Sequence, residues 1–456
     1  MKNNLNNKSF VFHRRLNYQY PVITHGKGIY LFDKQGKKYI DATGGALVAN
    51  LGHGLTEIAK EVGKLAQKVS YLHGSQFTTC EMEDYAKELC AFAPQELRKV
   101  LFVSGGSESV ETAIKLARQY HYDAGNKDKY LVIGRKPAYH GSTILPLSLA
   151  SRKSHRQPYL PLLLKFPVIP APFCYHCPFK KSYPQCNLAC ARELEKTIKK
   201  IGPEKISAFI AEPVIGASAG AVVPPKEYFP IVRQICNKYN VLMILDEVMT
   251  GFGRTGKWFA FQHWNFVPDI VVVSKGIAAG IVPFAAVFCQ KKIVETIKKG
   301  SGNFVHGFTF ENNPLTAGTA GMVLKYVKKH NLVGRSREMG KYLFSRLLTL
   351  SDIPIVGDIR GLGLMTAVEF VENKKTKKPF SRKAQVAEKI VQAALKRGLN
   401  LYFAIGFIEG ADSDIGDAVM VAPPFITTKQ EINKIIDIFK ESILEVQNKL
   451  QGSDPF

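Results

Sequence analysis

The stretch PDIVVVSKGIAAGIVP, residues 268–283, indicates how this chain of 456 residues folds. A short run of branched apolar residues ends at Lys275, and a glycine-rich turn follows. Such a run is typical of a strand that is buried on both faces of a parallel sheet. A buried ammonium group is costly unless it is paired, neutralised or used covalently. The residues that accompany Lys275 must therefore explain why a lysine ends this strand.

Similar apolar runs alternate with amphipathic helical patterns through the middle of the chain. The runs are KVLFV, KYLVIGR, AFIA, VLMIL, IVVV and FAAVFCQ. Because these strands show almost no polar alternation, they predict an α/β large domain whose parallel sheet is covered by helices on both faces. We place this domain at residues 61–325. Residues 326–456 predict a smaller α+β domain, which the N-terminal segment 1–60 joins through a hairpin.

The composition restricts the classes of function. A net charge of +24, from 62 Lys+Arg against 38 Asp+Glu, raises the question of a nucleic-acid partner. Much of the excess positive charge comes from pairs of lysines scattered along the chain, and no nucleic-acid-binding motif accompanies them. We therefore expect no nucleic-acid partner. No apolar run approaches the roughly 20 residues of a membrane span. The N-terminus is polar and lacks the apolar core of a secretory signal. We therefore expect a cytoplasmic protein without a membrane partner.

Polar residues follow four of the predicted strands. They are Ser104–Ser107, Glu212, Asp246–Glu247 and Ser274–Lys275. Since ligands of open parallel sheets bind at the carboxyl ends of the strands, these groups predict one site at that edge. Taken singly, each has an ordinary structural interpretation: a helix cap, an ion pair or a lysine that reaches solvent.

Together these groups match the chemistry of pyridoxal 5'-phosphate (PLP). A desolvated lysine such as Lys275 forms Schiff bases with aldehydes. The Gly105-Gly106-Ser107 turn before a helix favours a phosphate, because free N–H groups and the helix dipole point at it. The carboxylate of Asp246 suits a pyridinium nitrogen.

The chain also resembles a known family, the class III aminotransferases among the PLP enzymes of fold type I. The motifs that carry the resemblance run in order over nearly the whole chain: GIYLFDKQGKKYIDATGG, LGHG, SGGSESVETAIKLAR, YHG, AEPVIG, LDEVMTGFGRTGKWFA, PDIVVVSKG, HGFTFENNP, RGLGLM and VAPPFIT. The resemblance implies a mostly parallel seven-stranded sheet in the large domain and PLP as the cofactor.

The resemblance also implies roles for residues near the PLP ring. Lys275 would bind PLP and move the proton during catalysis. Asp246 would pair with the pyridine nitrogen, and Val248 would pack on the inner face of the ring. Tyr139 would stack on the other face, with His140 beside it.

Further roles concern the phosphate and the substrate. Gly106 and Ser107 would hold the phosphate, and Glu212 would lie near the ring hydroxyl on the substrate side. Phe308 and Thr309 would reach the phosphate of the neighbouring subunit. The resemblance therefore implies a homodimer with shared active sites, alone or as a dimer of dimers.

One segment departs from the family pattern. Members that use α-amino acids or pyruvate often carry an arginine shortly before Gly416-Asp417, where it binds a carboxylate. Here the preceding residues are Asp412, Ser413, Asp414 and Ile415. Two interpretations stay open: the loop is simply solvated, or its acids attract an amine donor with a distal positive charge, such as a diamine.

A second departure is the cysteine-rich insert at residues 172–191. It contains Cys174, Cys177, Cys186 and Cys190 with spacing C-x2-C-x8-C-x3-C. A structural zinc, a disulfide and buried thiols are the alternatives, and we expect no metal because the middle gap is short. The position of the insert in the sequence also suggests that it borders the active-site entrance.

The sequence thus predicts a PLP-dependent aminotransferase. It would transfer an amino group from an amine, diamine or ω-amino acid to a 2-oxo acid such as pyruvate or 2-oxoglutarate. A related decarboxylase, racemase or aminomutase is the alternative on the same scaffold. A non-catalytic binding protein is a third hypothesis, which the combination of Lys275, Asp246, Ser107 and Tyr139 argues against.

Overall fold

The computed structural model describes residues 9–406 and 415–452, which form three β-sheets with surrounding helices. The strands are β1 Ile23–Lys27, β2 Tyr30–Asp33, β3 Lys38–Asp41, β4 Leu97–Val103, β5 Leu131–Lys136, β6 Val168–Pro170, β7 Ile206–Ala211, β8 Leu242–Asp246, β9 Ile270–Val273, β10 Ala285–Gln290, β11 Val356–Leu362, β12 Met365–Phe370, β13 Leu399–Asn400, β14 Tyr402–Ala404 and β15 Asp417–Val421.

The α-helices follow the same numbering along the chain. They are α1 Gly44–Leu47, α2 Thr56–Ala66, α3 Cys80–Phe92, α4 Gly106–Asp123, α5 Ile144–Leu149, α6 Lys153–Arg156, α7 Ala189–Ile201, α8 Tyr228–Lys238, α9 Lys291–Lys299, α10 Pro314–Lys329, α11 Leu332–Leu348, α12 Val386–Lys396 and α13 Lys429–Gln451.

The largest sheet has seven strands in the order β4-β10-β9-β8-β7-β5-β6. Strand β10 is antiparallel to both of its neighbours, and the other pairs are parallel. The prediction of a mostly parallel seven-stranded sheet in an α/β domain is therefore confirmed. Because β4, β7, β8 and β9 run in the same direction, their carboxyl ends meet at one edge.

Both faces of this sheet are buried, which explains the absence of polar alternation in its strands. In β8, Leu242 and Ile244 belong to an apolar cluster that includes residues of α4 and α9. Met243 and Leu245 belong to the cluster on the other face, which includes residues of α3, α7, α8 and α10. Successive strand residues point to opposite faces, so both sets must be apolar.

The N-terminal hairpin joins a sheet of its own. Strands β1, β2 and β3 pair antiparallel, and β3 pairs in parallel with β13, where Ile40 lies opposite Leu399. The third sheet has the order β11-β12-β15-β14 and packs against α11, α12 and α13 in a shared apolar cluster. This pairing supports grouping the N-terminal segment with the smaller domain, and the limits at residues 60 and 325 stay a proposal.

A contact between glycines joins the smaller domain to the segment that follows β8. Helix α11 places Gly340 against Gly363, and a Cβ built on Gly340 would lie 2.3 Å from the carbonyl carbon of Gly363. Gly363 has φ +60°, and a Cβ there would lie 2.4 Å from the carbonyl carbon of Thr255. Only glycine allows three backbone segments to approach this closely.

This contact predicts opposite effects for two helical glycines. Gly340→Ala would destabilise the protein by about 1–3 kcal/mol, because the new methyl meets backbone that cannot move cheaply. The matched control is Gly63→Ala in α2, where no atom of the described residues lies within 4 Å of the built Cβ. That change would stabilise by about 0.5–1 kcal/mol. Denaturant unfolding of both variants measures the difference, and equal shifts would contradict the packing explanation.

Candidate active site

A cavity of about 300 Å³ lies at the carboxyl ends of β4, β7, β8 and β9. Eight of the ten site residues predicted from the sequence line it. They are Gly106, Ser107, Tyr139, His140, Glu212, Asp246, Val248 and Lys275. The helix after β4 and the loops after β5, β7, β8 and β9 supply them, as expected for a ligand site of an open α/β sheet.

Phe308 and Thr309 do not line this cavity. They lie in the connection between α9 and α10, with Phe308 half-buried and Thr309 exposed. The Phe308 amide donates to the Glu311 carboxylate at 3.2 Å. Because their predicted role involves the neighbouring subunit, the structure of a single chain does not test that prediction.

Lys275 occupies a strained backbone position at the end of β9. Its φ of 52° is in the left-handed region, which costs a non-glycine residue about 1–3 kcal/mol. The Nζ atom donates to the Ala46 carbonyl at 2.9 Å. Desolvation lowers the pKa of Lys275 to about 8, while the negative charges of Asp246 and Glu212 oppose the change. The site therefore holds an amine that is neutral in a large fraction of molecules near pH 8.

Asp246 and His140 form a buried pair. Asp246 is 4% exposed and His140 is 3% exposed. The Nδ1 atom of His140 lies 2.7 Å from Oδ2 of Asp246, and the Val248 amide donates to Oδ1 at 3.1 Å. Among the described residues, Nε2 of His140 has no hydrogen-bond partner. The carboxylate is thus oriented by two groups from different loops.

Glu212 is held by backbone amides. Tyr139 N–H donates to Oε2 at 3.2 Å, and Gly216 N–H donates to Oε1 at 3.0 Å. Burial raises the pKa of Glu212, an effect that nearby His140 opposes. The side chain thus stays within the cavity and connects the loop after β5 to the loop after β7.

The start of α4 has the form of a phosphate site. A Cβ built on Gly106 would lie 3.1 Å from Cγ1 of Val248, so glycine leaves the backbone accessible there. Ser107 Oγ accepts from the Ser142 amide at 3.1 Å. The N–H groups of the first turn of an α-helix have no partner within the helix and favour an anion.

Comparison with known proteins places the chain in a family. The family described as "Aminotransferase class-III" matches residues 12–443. The chain belongs to the class III aminotransferases. It is 39% identical to an uncharacterized aminotransferase, YodT, of Bacillus subtilis, over 97% of this chain and 99% of that one. It is 32% identical to the putrescine–pyruvate aminotransferase of Pseudomonas aeruginosa, over 92% of this chain and 90% of that one.

Solved transaminase structures have the same fold. A transaminase from the marine bacterium Virgibacillus superposes with a TM-score of 0.90, at 32% identity, over 98% of this chain and 99% of that one. The omega transaminase of Pseudomonas jessenii, solved in complex with PMP, gives a TM-score of 0.88 at 31% identity, over 95% of this chain and 94% of that one. The chain is thus a PLP-dependent transaminase of fold type I.

The cavity residues of this class III aminotransferase fit PLP. Lys275 supplies a desolvated amine, Asp246 a buried carboxylate and α4 an open helix N-terminus. The unpartnered Nε2 of His140 adds a buried polar atom at the same cavity. An aldehyde, a ring nitrogen and a phosphate match these three kinds of group.

Sequence reasoning missed other residues that line the cavity. They include Arg14, Arg152, His155, Ala217, Ser218, Met249 and Tyr402. Ser218 follows Glu212 by six residues, so the loop after β7 could have suggested it. Tyr402 belongs to β14 of the smaller domain, and Arg152 lies beyond the YHG segment without a motif of its own. Only the tertiary fold brings these two to the site.

Two buried or half-buried arginines outside the cavity have structural roles. Arg254 is fully buried and donates to the carbonyls of Leu364, Ala422 and Pro423 at 3.0, 3.0 and 2.7 Å. Arg360 donates to main-chain carbonyls of the loop after β7. Both residues therefore fix loops.

The cysteine-rich insert forms a separate small cavity. Cys174, Cys177, Cys186 and Cys190 all line it, and none of the insert residues lines the aminotransferase cavity. The insert therefore does not line the aminotransferase cavity among the described residues, and its expected position at the active-site entrance stays a prediction. Within residues 9–406 and 415–452, no group of three or more His, Cys, Asp or Glu side chains is arranged to hold a metal ion.

The structure does not describe the acids that suggested a cationic donor. Asp412, Ser413 and Asp414 are outside the described residues. The hypothesis of a distal positive charge on the donor therefore stays a prediction from the sequence.

The environment of Lys275 predicts a pH profile for PLP uptake by the apoenzyme. Only the neutral amine attacks an aldehyde, so the uptake rate should rise through pH 8 and level off above it. An ordinary lysine would keep gaining reactivity towards a pKa of about 10.4. Asp246→Asn removes a charge that raises the pKa of Lys275, so it should shift the midpoint to lower pH. Absorbance-monitored uptake between pH 6.5 and 10 measures both, and a midpoint above pH 9 would contradict the assignment.

Proposed function

We propose that Lys275 holds PLP covalently and moves the proton of the transamination reaction. The observation that carries this is the placement of its desolvated Nζ in one cavity with the Asp246–His140 pair and the start of α4. PLP supplies an electron sink and a reversible carrier of the amino group. Lys275 then acts as the base and acid at the substrate carbon, because its lowered pKa of about 8 suits proton transfer near neutral pH.

The other cavity residues bind and orient. Asp246, held by His140 Nδ1 and the Val248 amide, would pair with the ring nitrogen of PLP. Gly106 and Ser107 would hold the phosphate at the start of α4. Tyr139 and Val248, which both line the cavity, would hold the ring.

The reaction proceeds in two halves. An amine, diamine or ω-amino acid gives up its amino group, and a 2-oxo acid such as pyruvate or 2-oxoglutarate takes it in the second half. The names of two relatives support this range, a putrescine–pyruvate aminotransferase of Pseudomonas aeruginosa and a gamma aminobutyrate transaminase of Solanum lycopersicum.

A donor and acceptor panel tests the function. PLP-loaded enzyme mixed with one amine alone should convert its absorbance to that of the pyridoxamine form in a single turnover, and added 2-oxo acid should restore it. Oxo-acid consumption should equal carbonyl formation. Carbon dioxide release or racemisation without oxo-acid consumption would instead favour the decarboxylase, racemase or aminomutase alternative.

We also propose a homodimer in which each chain completes the other's site. The connection that holds Phe308 and Thr309 carries large exposed apolar side chains, including Val305 at 68% and Phe310 at 62%. The ring of Phe310 contacts that of Tyr71, which is 44% exposed. A contiguous exposed apolar surface next to two residues with a predicted role in a neighbouring site fits a subunit interface.

Subunit mixing tests this shared site. Lys275→Ala and Thr309→Glu should each inactivate the homodimer. Their mixture should regain about a quarter of wild-type activity, because about half the dimers are mixed and one of their two sites is intact. The matched control mixes Lys275→Ala with Asp246→Asn, which should stay inactive because both groups belong to the same chain's site. Recovery in the control, or an active wild-type monomer in sedimentation, would contradict the proposal.

The cellular location proposed is the cytoplasm. Among the described residues, no helix combines the length and apolar character needed to cross a bilayer. Fractionation of cells expressing the tagged protein tests the location directly.

A further inference from the structure

Two residues of the cavity wall are not among those assigned above to hold PLP. Arg152 lies at the start of α6 and Ser218 lies in the loop after β7, and both line the cavity together with Lys275. The acceptor of the reaction is a 2-oxo acid, whose carboxylate requires a cation or several donors when it leaves water. These two residues are candidates for that task.

The guanidinium of Arg152 is fixed in place beside Ser218. Its Nη2 atom donates to the carbonyl of Ala217, the residue before Ser218, at 3.0 Å. Nη2 and Nε also donate to the carbonyl of Ile405 at 3.0 and 3.3 Å. Because the side chain is already ordered, binding a carboxylate costs it little further conformational entropy. The remaining nitrogen, Nη1, lies 3.3 Å from Nε2 of His155. The guanidinium also keeps its positive charge when buried, and that charge attracts a carboxylate.

Ser218 presents an unsatisfied hydroxyl. The residue is 2% exposed, and its Oγ has no hydrogen-bond partner among the described residues. Buried hydroxyl groups are nearly always hydrogen-bonded, so an exception at a cavity wall points to a partner that enters the cavity. A hydroxyl next to a guanidinium can donate to the same anion.

The charges of the other cavity residues are compatible with this assignment. Lys275 is engaged with PLP, and Glu212 is held by the amides of Tyr139 and Gly216. Burial raises the pKa of Tyr402, so its hydroxyl stays neutral at physiological pH, and the charge of Arg152 acts on it. Arg14 adds a second positive charge at the cavity.

We propose that Arg152 and Ser218 form the subsite that binds the carboxylate of the 2-oxo acid, and of an ω-amino acid when that is the donor. The proposal rests on the transaminase function above and specifies its substrate class. It predicts that carboxylate-bearing substrates depend on these two residues, whereas amines without a carboxylate do not.

The test separates the two half-reactions of the PLP-loaded enzyme. Arg152→Gln should raise the half-saturating concentration of 2-oxoglutarate and pyruvate by about 10- to 100-fold, because it removes a charge-assisted hydrogen bond. Ser218→Ala should raise it by about threefold to tenfold. Both variants should react with n-butylamine within about twofold of wild type. Arg152→Lys should recover part of the loss, since it restores the charge without the planar geometry.

A matched control and a binding readout complete the design. Lys153→Gln removes an exposed positive charge one residue away, outside the cavity, and should change neither half-reaction. Calorimetric titration with glutarate, which has no reacting carbonyl, should show weaker binding to Arg152→Gln and Ser218→Ala. Titration with the uncharged glutaramide should show no difference between variants.

Several outcomes would overturn the proposal. Unchanged oxo-acid saturation and glutarate binding in both variants would do so, as would equal losses with n-butylamine. If Arg152→Gln does not fold by circular dichroism, Ser218→Ala decides, because no hydrogen bond of that hydroxyl is lost within the described part of the chain. If wild type lacks an amine half-reaction, the transaminase assignment of donors fails, and glutarate binding still tests the subsite on its own.

Discussion

The desolvation of one amine is the constraint on which this structure depends. Lys275 ends a strand that is buried on both faces, and it does so with φ in the left-handed region. Burial lowers the pKa of Lys275 to about 8. A charged lysine at this place would destabilise the fold, whereas a covalently used amine would not. The sheet and the loops around β8 place this amine in one cavity, where burial lowers its pKa.

The carboxylate of Asp246, in the same cavity, is a second buried polar group that needs partners. Asp246 is buried, and its carboxylate is hydrogen-bonded by His140 and the Val248 amide, while Lys275 lies near enough to interact with it. Its neighbour Glu247 is equally buried, but it accepts from Thr250 and from two backbone amides of the segment after residue 259. The two adjacent acids thus have different roles. Asp246 faces the cavity, and Glu247 fixes the loop.

Much of this arrangement could be predicted from the sequence. The hydrophobic periodicity identifies the strands, and the position of a polar residue after a strand indicates where that residue lies. Apolar runs such as that of β8 specify strands buried on both faces, and the polar residue that ends each run must lie at the common edge. Arg152 and Tyr402 could not be predicted, since each reaches the cavity from a loop or a second domain through long-range packing. The order of the cysteine-rich insert in the chain likewise gave no information on where it packs, so its place at the active-site entrance stays a prediction.

The central claim is that Lys275 is the residue that carries PLP. Borohydride reduction of the PLP-loaded protein, followed by proteolysis and mass spectrometry, tests it most directly. The peptide containing Lys275 alone should gain the reduced phosphopyridoxyl group. Stoichiometric modification of another lysine, with Lys275 unmodified, would contradict it.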